Sequence, residues 1–228
     1  MRKLFMSHKQ KRRCAILALA VCLIAYAYFG FGSYDILFAN VSAICLMMIC
    51  WFQYDHEQPR LATLVLCACM ITIAVAGRLL FVWAPAFKPL SAIILLAGVW
   101  LSGWNGFLCG SLAALLSDLF FGLGPWTIFQ MLAWGSVGAL GSCIKETWFH
   151  HRIVRLIVSV LAAVLFSLIM DTYTALSTGG LSIARLLFFM GTSLPFLFIY
   201  IISNIVFVEL CYPFFQKKME RIIKKYDL

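Results

Sequence analysis

The chain has 228 residues, of which 64% are hydrophobic and only 12% are charged. Because soluble globular domains are roughly half apolar, this composition excludes a soluble domain and indicates an all-α integral membrane protein. The formal net charge of +9 favours contact with anionic lipid headgroups over contact with nucleic acid.

Charge-free stretches of the sequence predict about eight transmembrane helices, since a helix needs about 20 mostly apolar residues to cross the hydrocarbon core. The stretch from Pro89 to Ser117 is too long for one crossing, and Gly103 and Gly106 in its middle predict a hairpin of two short helices. The predicted helices cover residues 14–29, 34–53, 60–83, 88–103, 105–121, 126–144, 152–177 and 182–212. We divide the chain into residues 1–58, with a basic N-terminus and two helices, and residues 59–228, with six helices.

The distribution of basic residues predicts the orientation in the membrane. Fifteen of the eighteen Lys and Arg residues fall at one end of the predicted helices. The positive-inside rule assigns that end to the cytoplasm, so both termini are expected there and the protein is expected to be a multi-pass protein of the cell membrane. No small-x-small cleavage site follows the first apolar segment, so we expect that segment to be retained.

The nine cysteines and four histidines do not predict a metal site. The cysteines lie within or at the ends of apolar segments without a Cys-x-x-Cys pair, so we interpret them as small polarizable core residues. All four histidines fall in predicted cytoplasmic segments. We therefore expect neither a bound metal nor a cofactor.

The three remaining cations, Arg78, Lys88 and Arg185, lie at the opposite, outward ends of the predicted helices. A cation about one turn inside a helix end costs free energy unless it faces a polar cavity or a partner, so Arg78 is a candidate binding residue. Lys88 lies between Pro85 and Pro89, near the same end. For both residues the alternative is that the side chain snorkels to the outer lipid headgroups.

A second outward loop contains two glycines and a proline, and three large side chains follow it at a spacing of four. Trp126, Gln130 and Trp134 therefore share one helix face. Two tryptophans on either side of an amide could stack a planar ligand and hydrogen-bond its edge. An interfacial aromatic belt explains Trp126 equally well, but it does not explain the deeper Trp134 or the polar Gln130.

A third candidate, Asp171, lies at the outward end of the predicted helix 152–177. A carboxylate in a membrane segment either binds a ligand or neutralises a nearby cation, and we expect Asp171 to pair with Arg78 or Arg185. Either role places Asp171 at the edge of the same outward site.

Several of these segments resemble the substrate-binding S component of energy-coupling-factor (ECF) vitamin transporters. The resemblance covers about residues 60–228, and Gly124-Pro125-Trp126-Thr127 with Gln130 is its most specific part. Further matching segments are Gly77-Arg78, Phe87-Lys88-Pro89, the hairpin from Gly98 to Gly110, Phe121-Gly122-Leu123, Trp134-Gly135, Asp171, Pro195-Phe196 and Asn204-Ile205-Val206-Phe207. The resemblance implies a six-helix S-component core preceded by two extra helices.

The resemblance also implies a function, partners and binding residues. An S component captures a vitamin or related micronutrient outside a bacterial cell, together with a transmembrane coupling subunit and two ATPase subunits. The chain contains no G-x-x-x-x-G-K-[ST] loop, so a partner would hydrolyse the ATP. The implied substrate-binding residues are Arg78, Lys88, Trp126, Thr127, Gln130, Trp134, Asp171 and Asn204.

The predicted site favours a large, flat, partly anionic ligand, because it offers two tryptophans, several cations and an amide. It looks most like S components assigned to cobalamin-type or other tetrapyrrole ligands, and riboflavin or a deazapurine precursor is an alternative.

S components often dock on the coupling subunit through an Ala-x-x-x-Ala patch on the first core helix, because small residues let helices approach closely. Here Ala68, Thr72 and Ala76 form a relaxed version of that patch, and we predict them as the docking surface. A strict match occurs at Ala39 and Ala43, in one of the two extra helices.

Two other classes of function remain as alternatives. An intramembrane enzyme needs a nucleophile and a base at the same depth, and the predicted cytoplasmic location of every histidine argues against it, so we predict no enzymatic activity. A non-transporting scaffold, similar to the cell-shape membrane proteins of the rod complex, would share the S-component fold. Such a scaffold would have no use for Arg78, Trp126, Gln130 and Asp171 around one outer pocket.

Overall fold

The computed structural model describes residues 35–57, 60–101 and 104–226. Within these ranges the chain forms eight α-helices and no strand. They are α1 (Asp35–Glu57), α2 (Leu61–Leu80), α3 (Leu90–Leu101), α4 (Asn105–Phe121), α5 (Pro125–Ser142), α6 (Glu146–Phe149), α7 (Arg152–Ser177) and α8 (Ile183–Tyr226). The all-helical prediction is confirmed for the described part of the chain.

Seven of these helices correspond to predicted ones, and the predicted helix 14–29 lies outside the described residues. The sequence does not predict α6, because four residues are too few for a periodic pattern. The predicted end of the last helix at residue 212 is wrong, since α8 continues to Tyr226. Residues 213–226 include four Lys together with Gln, Met, Glu and Arg, all of which favour helix, so the helix continues after the hydrophobic segment stops.

Among the described residues, three helices are long and apolar enough to cross a membrane. They are Leu61–Leu80, Arg152–Ser177 and the part of α8 from Ile183 to Ile222. The segments Ala39–Trp51, Leu90–Leu101 and Asn105–Phe121 are apolar but shorter. The fold is therefore that of a helical, membrane-associated protein.

Helix α3 occupies the centre of the bundle. All twelve of its residues are buried, and it packs against α2, α4, α5, α7 and α8. Its sequence is apolar on every side, as a helix enclosed by its neighbours requires. α3 and α4 are the two short helices predicted for the hairpin, so that prediction is confirmed.

Glycines allow α3, α4 and α5 to approach one another closely. A Cβ atom added at Gly98 or at Gly106 would overlap the carbonyl oxygen of Gly138, and one added at Gly110 would overlap the carbonyl oxygen of Trp134. Small residues at such crossings let helix backbones come into contact. This close packing fixes the positions of α4 and α5 relative to each other, and with them the side chains of the site below.

The loop between α4 and α5 is short and sharply turned. Gly122 has a φ of 100°, a conformation that favours glycine, and it follows the last residue of α4. α5 begins at Pro125, where the missing backbone N–H costs no helical hydrogen bond. The loop therefore orients the first turn of α5 beside the last turn of α4.

Candidate functional site

The site is centred on Arg78, a buried cation in the last turn of α2 that is only 7% exposed. Its Nη1 donates hydrogen bonds to Oδ1 of Asp118, at 2.8 Å, and to the hydroxyl of Ser117. Its Nη2 donates to Oε1 of Gln130 at 3.2 Å. One guanidinium group therefore joins α2, α4 and α5.

Aromatic rings enclose the guanidinium group. Its Cζ atom lies 4.6 Å from the ring centroids of both Phe121 and Trp134, close enough for cation–π attraction. Trp134 is only 3% exposed, and its Nε1 donates a hydrogen bond to Oγ of Ser91 at 3.0 Å. Phe166 of α7 packs against Trp134, with ring centroids 4.7 Å apart. The cation is thus held in a mainly aromatic environment.

Lys88, from the loop between α2 and α3, brings a second positive charge to the site. Its Nζ lies 5.0 Å from the ring centroid of Phe121, which Arg78 also contacts. Burial, followed by the positive charge of Arg78, lowers the pKa of Lys88. With both cations protonated and Asp118 ionised, these three residues carry one net positive charge.

Asp118 is the carboxylate partner of Arg78 and is 1% exposed. Its second oxygen, Oδ2, is buried and has no hydrogen-bond partner among the described residues. A buried carboxylate oxygen without a donor is costly, so Oδ2 is a point at which an N–H or O–H group of a ligand would be stabilised. We call Arg78, Lys88, Ser117, Asp118, Phe121, Gln130 and Trp134 the Arg78 cluster.

Four of the predicted binding residues, Arg78, Lys88, Gln130 and Trp134, meet in this cluster. Two others, Trp126 and Thr127 in the first turn of α5, have separate contacts. Trp126 is 40% exposed and its ring packs against Gly124. Thr127 is buried and its Oγ1 accepts a hydrogen bond from the backbone N–H of Gly124 at 3.2 Å, so it caps the start of α5.

The structure places Asp171 in a different environment from the one we predict. Its Oδ2 accepts a hydrogen bond from Oγ of Ser193 at 2.9 Å, and its side chain lines a cavity of about 180 Å³ between α7 and α8. The expected pairing with Arg78 or Arg185 is wrong, because Arg78 pairs with Asp118 and Arg185 donates to the carbonyl oxygens of Gly179 and Gly180.

Arg185 and Asn204 also form contacts of their own. Arg185 donates hydrogen bonds to the carbonyl oxygens of Gly179 and Gly180, within the loop before α8. Asn204 is fully buried and donates to the carbonyl oxygen of Ser159 on α7 at 3.2 Å. These bonds connect α7 with α8 and its preceding loop.

Sequence reasoning missed Asp118, Ser117 and Ser91 as members of the site. The available signal was the position of Asp118, a carboxylate three residues before the end of an apolar helix, because Arg78 likewise lies two residues before the end of α2. A buried cation needs an opposite charge at its own depth, so Asp118 was a better partner than Asp171 by that criterion.

The predicted docking residues Ala68, Thr72 and Ala76 all lie on an exposed face of α2. Thr72 donates its hydroxyl hydrogen to the carbonyl oxygen of Ala68 at 2.8 Å, so its polar group is satisfied within the helix. The face therefore carries only small side chains, and its one hydroxyl group is already hydrogen-bonded.

A second ionic cluster lies at the opposite end of the bundle. Arg155 of α7 forms a bidentate pair with Glu209 of α8, with Nε–Oε1 and Nη2–Oε2 distances of 2.7 and 3.0 Å. The Cζ atom of Arg155 also lies 4.2 Å from the ring centroid of Tyr212. These contacts hold the start of α7 against the middle of α8.

Three residues near this second cluster could hold a metal ion. The ligand atoms of Glu146, His150 and Glu220 all lie within 4.8 Å of one another. Nδ1 of His150 lies 2.5 Å from the hydroxyl of Tyr212 and 3.3 Å from Nε2 of Gln216. Neighbouring protein groups therefore already occupy this ring nitrogen of His150.

Comparison with protein-family models matches residues 57–222 to the family described as "Family of unknown function (DUF6580)". The match spans most of the chain. The chain belongs to this family. In this member of DUF6580, the matched range contains all seven residues of the Arg78 cluster and the ionic cluster at the other end. Comparisons with curated proteins and with solved structures give no match.

Proposed function

We propose that the protein is the substrate-binding S component of an ECF-type importer in a bacterial plasma membrane, with both termini in the cytoplasm. It captures a vitamin or related micronutrient outside the cell, and a transmembrane coupling subunit with two ATPase subunits drives uptake. The observation that carries this proposal is the contact of Arg78 with both Gln130 and Trp134. These are three of the residues that the sequence singles out for binding.

The charge of the Arg78 cluster favours a ligand with an anionic group. Arg78 and Lys88 together exceed the charge of Asp118 by one, and both contact Phe121. An anionic group beside Lys88 would restore neutrality, and an N–H or O–H group could donate to Oδ2 of Asp118. The aromatic rings favour a flat ligand, which is consistent with a cobalamin-type molecule or another tetrapyrrole.

The exposed face of Ala68, Thr72 and Ala76 supports the proposed contact with a coupling subunit. Side chains of this size allow a partner helix to approach the backbone of α2. The face is exposed along about two helical turns, and α2 is one of the helices long and apolar enough to cross a membrane.

The experiment that tests ligand binding starts from the full-length protein purified from bacterial membranes. Any bound small molecule is extracted and identified by its absorbance spectrum and by mass spectrometry. Titration of that molecule into ligand-free protein should then give a dissociation constant for wild type and for Gln130→Ala. Loss of a buried hydrogen bond to a polar ligand is worth about 1–3 kcal/mol, so we expect Gln130→Ala to weaken binding about tenfold to a hundredfold.

The matched control is Trp51→Ala, which removes a large exposed side chain of α1 outside the Arg78 cluster. It should leave the dissociation constant unchanged, and neither variant should reduce the amount of folded protein. A wild-type affinity in Gln130→Ala together with weaker binding in Trp51→Ala would place the site elsewhere.

Energy coupling is tested separately. Cells that produce the protein with a coupling subunit and both ATPases should accumulate the ligand against its gradient. Accumulation by cells that lack those subunits would exclude the S-component proposal and favour a self-sufficient carrier.

A second candidate function is a non-transporting membrane scaffold of the rod-complex type. It is favoured by the hydrogen bonds of the Arg78 guanidinium group, which go to Ser117, Asp118 and Gln130 of the protein itself. A scaffold would purify without a small molecule, and its deletion would change cell shape rather than micronutrient uptake.

A further inference from the structure

An open groove lies between the start of α2 and the last turns of α8. Arg78 lies at the other end of α2. Its volume is about 540 Å³. The side contributed by α2 is apolar and consists of Leu61, Ala62, Val65 and Leu66, and the side contributed by α8 includes Arg221 and Lys225. The groove thus combines a hydrocarbon-like wall with two cations.

The apolar wall suits an acyl chain rather than a water-soluble molecule. Leu61 and Val65 are 77% and 55% exposed, although α2 is one of the helices apolar enough to cross a membrane. Exposed aliphatic side chains in such a helix are stable when lipid tails cover them. An acyl chain lying along α2 would cover this wall.

The cations lie where a lipid headgroup would be. Arg221 and Lys225 are four residues apart, so they share one face of α8. A guanidinium group can bind a phosphate through two hydrogen bonds, and an ammonium group adds a point charge beside it. Basic pockets between helices near the cytoplasmic surface attract anionic lipid headgroups.

We infer that this groove binds one anionic phospholipid, with an acyl chain along Leu61 and Val65 and the phosphate between Arg221 and Lys225. The charge decides between lipid classes, because a zwitterionic headgroup carries its own cation and would bring it close to these two. The site is independent of the proposed function, since it shares no residue with the Arg78 cluster.

The test uses full-length protein, freed of lipid in detergent, and native mass spectrometry with added phosphatidylglycerol or phosphatidylcholine of identical acyl chains. Wild type should retain phosphatidylglycerol preferentially. In the variant Arg221→Gln/Lys225→Gln, the ratio of phosphatidylglycerol binding to phosphatidylcholine binding should fall about thirtyfold. This corresponds to about 2 kcal/mol for two basic residues. Glycerol phosphate without acyl chains should not bind detectably, because it cannot cover the apolar wall.

The matched control is Lys217→Gln/Lys218→Gln, which removes the same charge from exposed positions of the same helix that are outside the groove. This control should keep the wild-type preference. Equal losses in the two double variants would show a diffuse basic surface and overturn the proposal. Val65→Trp should reduce the binding of both lipids by filling the groove, and unchanged binding would also overturn it.

The competing occupant is the chain's own predicted helix 14–29. A cysteine at Val65, combined with the natural Cys22 in an otherwise cysteine-free chain, reports on this arrangement by disulfide cross-linking. Complete cross-linking together with no preference for phosphatidylglycerol would assign the groove to that helix and exclude the lipid.

Discussion

Arg78 is stable inside the bundle because both terminal nitrogens and the faces of its guanidinium group have partners of matching chemistry. Nη1 has a carboxylate and a hydroxyl, Nη2 has an amide oxygen, and the faces of the group meet Phe121 and Trp134. Burial of a charge is tolerated when it is paired and hydrogen-bonded, and it is costly otherwise. The fold therefore depends on Asp118 as much as the site does.

The first prediction concerns this ion pair. Asp118→Asn leaves Arg78 buried without a counter-charge, so it should destabilise the protein by about 3–5 kcal/mol. The double variant Arg78→Gln/Asp118→Asn removes both charges and should be less destabilised than Asp118→Asn alone. Thermal unfolding of the two purified variants and wild type in the same detergent measures the difference. A double variant that is as destabilised as Asp118→Asn, or more so, would show that the two charges do not depend on each other.

The second prediction concerns Lys88, whose folded-state pKa lies below its ordinary value of 10.5 because of burial and the charge of Arg78. Below the folded-state pKa the lysine is protonated in both states, and its charge destabilises the fold. As the pH rises from the folded-state pKa to the unfolded value, the folded protein loses this proton first and that cost disappears. The free energy of unfolding of wild type should therefore rise as the pH increases between the folded-state and unfolded pKa values of Lys88.

The variant Lys88→Met should melt at a higher temperature than wild type at pH 7 and should lack the gain at alkaline pH. It should also bind an anionic ligand more weakly, because one of the two cations is gone. Thermal melts across this pH range give the first result and ligand titration gives the second. A lower melting temperature for Lys88→Met at pH 7 would mean that its contact with Phe121 outweighs the cost of its charge.

At the scale of helices, the crossing of α4 and α5 depends on glycine. A Cβ atom at Gly138 would overlap the backbone of Gly106, whereas a Cβ atom at Gly191 in α8 would meet no atom within 4 Å. Gly138→Ala should therefore destabilise the protein by about 1–3 kcal/mol through overpacking. Gly191→Ala should be neutral or stabilising, because alanine favours a helix over glycine.

Thermal unfolding of these two alanine variants checks the crossing of α4 and α5. The comparison is well matched, since both substitutions add one methyl group inside a helix. Equal stability of the two variants would mean that α4 and α5 can separate at this point without loss.

The helices were the most predictable part of the structure, because they follow from local sequence. Apolar length and the glycines near residue 103 are sufficient to predict α3 and α4 as a hairpin of short helices. The end of α8 was not predictable in the same way. Hydropathy marks where a helix leaves an apolar environment, and the basic residues after Pro213 still favour helix.

The site was predictable only for residues that are unusual in their own segment. Arg78 and Gln130 stand out as polar groups among apolar neighbours, and the structure brings them into contact. The choice of Asp118 over Asp171 as the counter-charge depends on how α2 packs against α4. That packing is set by contacts between residues about 40 positions apart, which no local pattern contains.

At the scale of the whole molecule, orientation in the membrane is a prediction that labelling can check. In a cysteine-free background, single cysteines at Ser7 and Ser177 are treated with a membrane-impermeant maleimide in intact cells. Ser177 is exposed at the end of α7 and should be labelled, whereas Ser7 should react only after permeabilisation. Labelling of Ser7 in intact cells would reverse the assignment of the outward end.

The central helix α3 is shorter than the thickness of a membrane's hydrocarbon core. Twelve residues of α helix extend about 18 Å, whereas the hydrocarbon core is about 30 Å thick. Chain that leaves a helix inside the core needs other protein around it, and α3 has neighbours on every side. The helices around α3 consequently shield it from lipid. Trp134 of the Arg78 cluster donates its indole N–H to Ser91 of α3, so the cluster is held against the helix that the rest of the described bundle encloses.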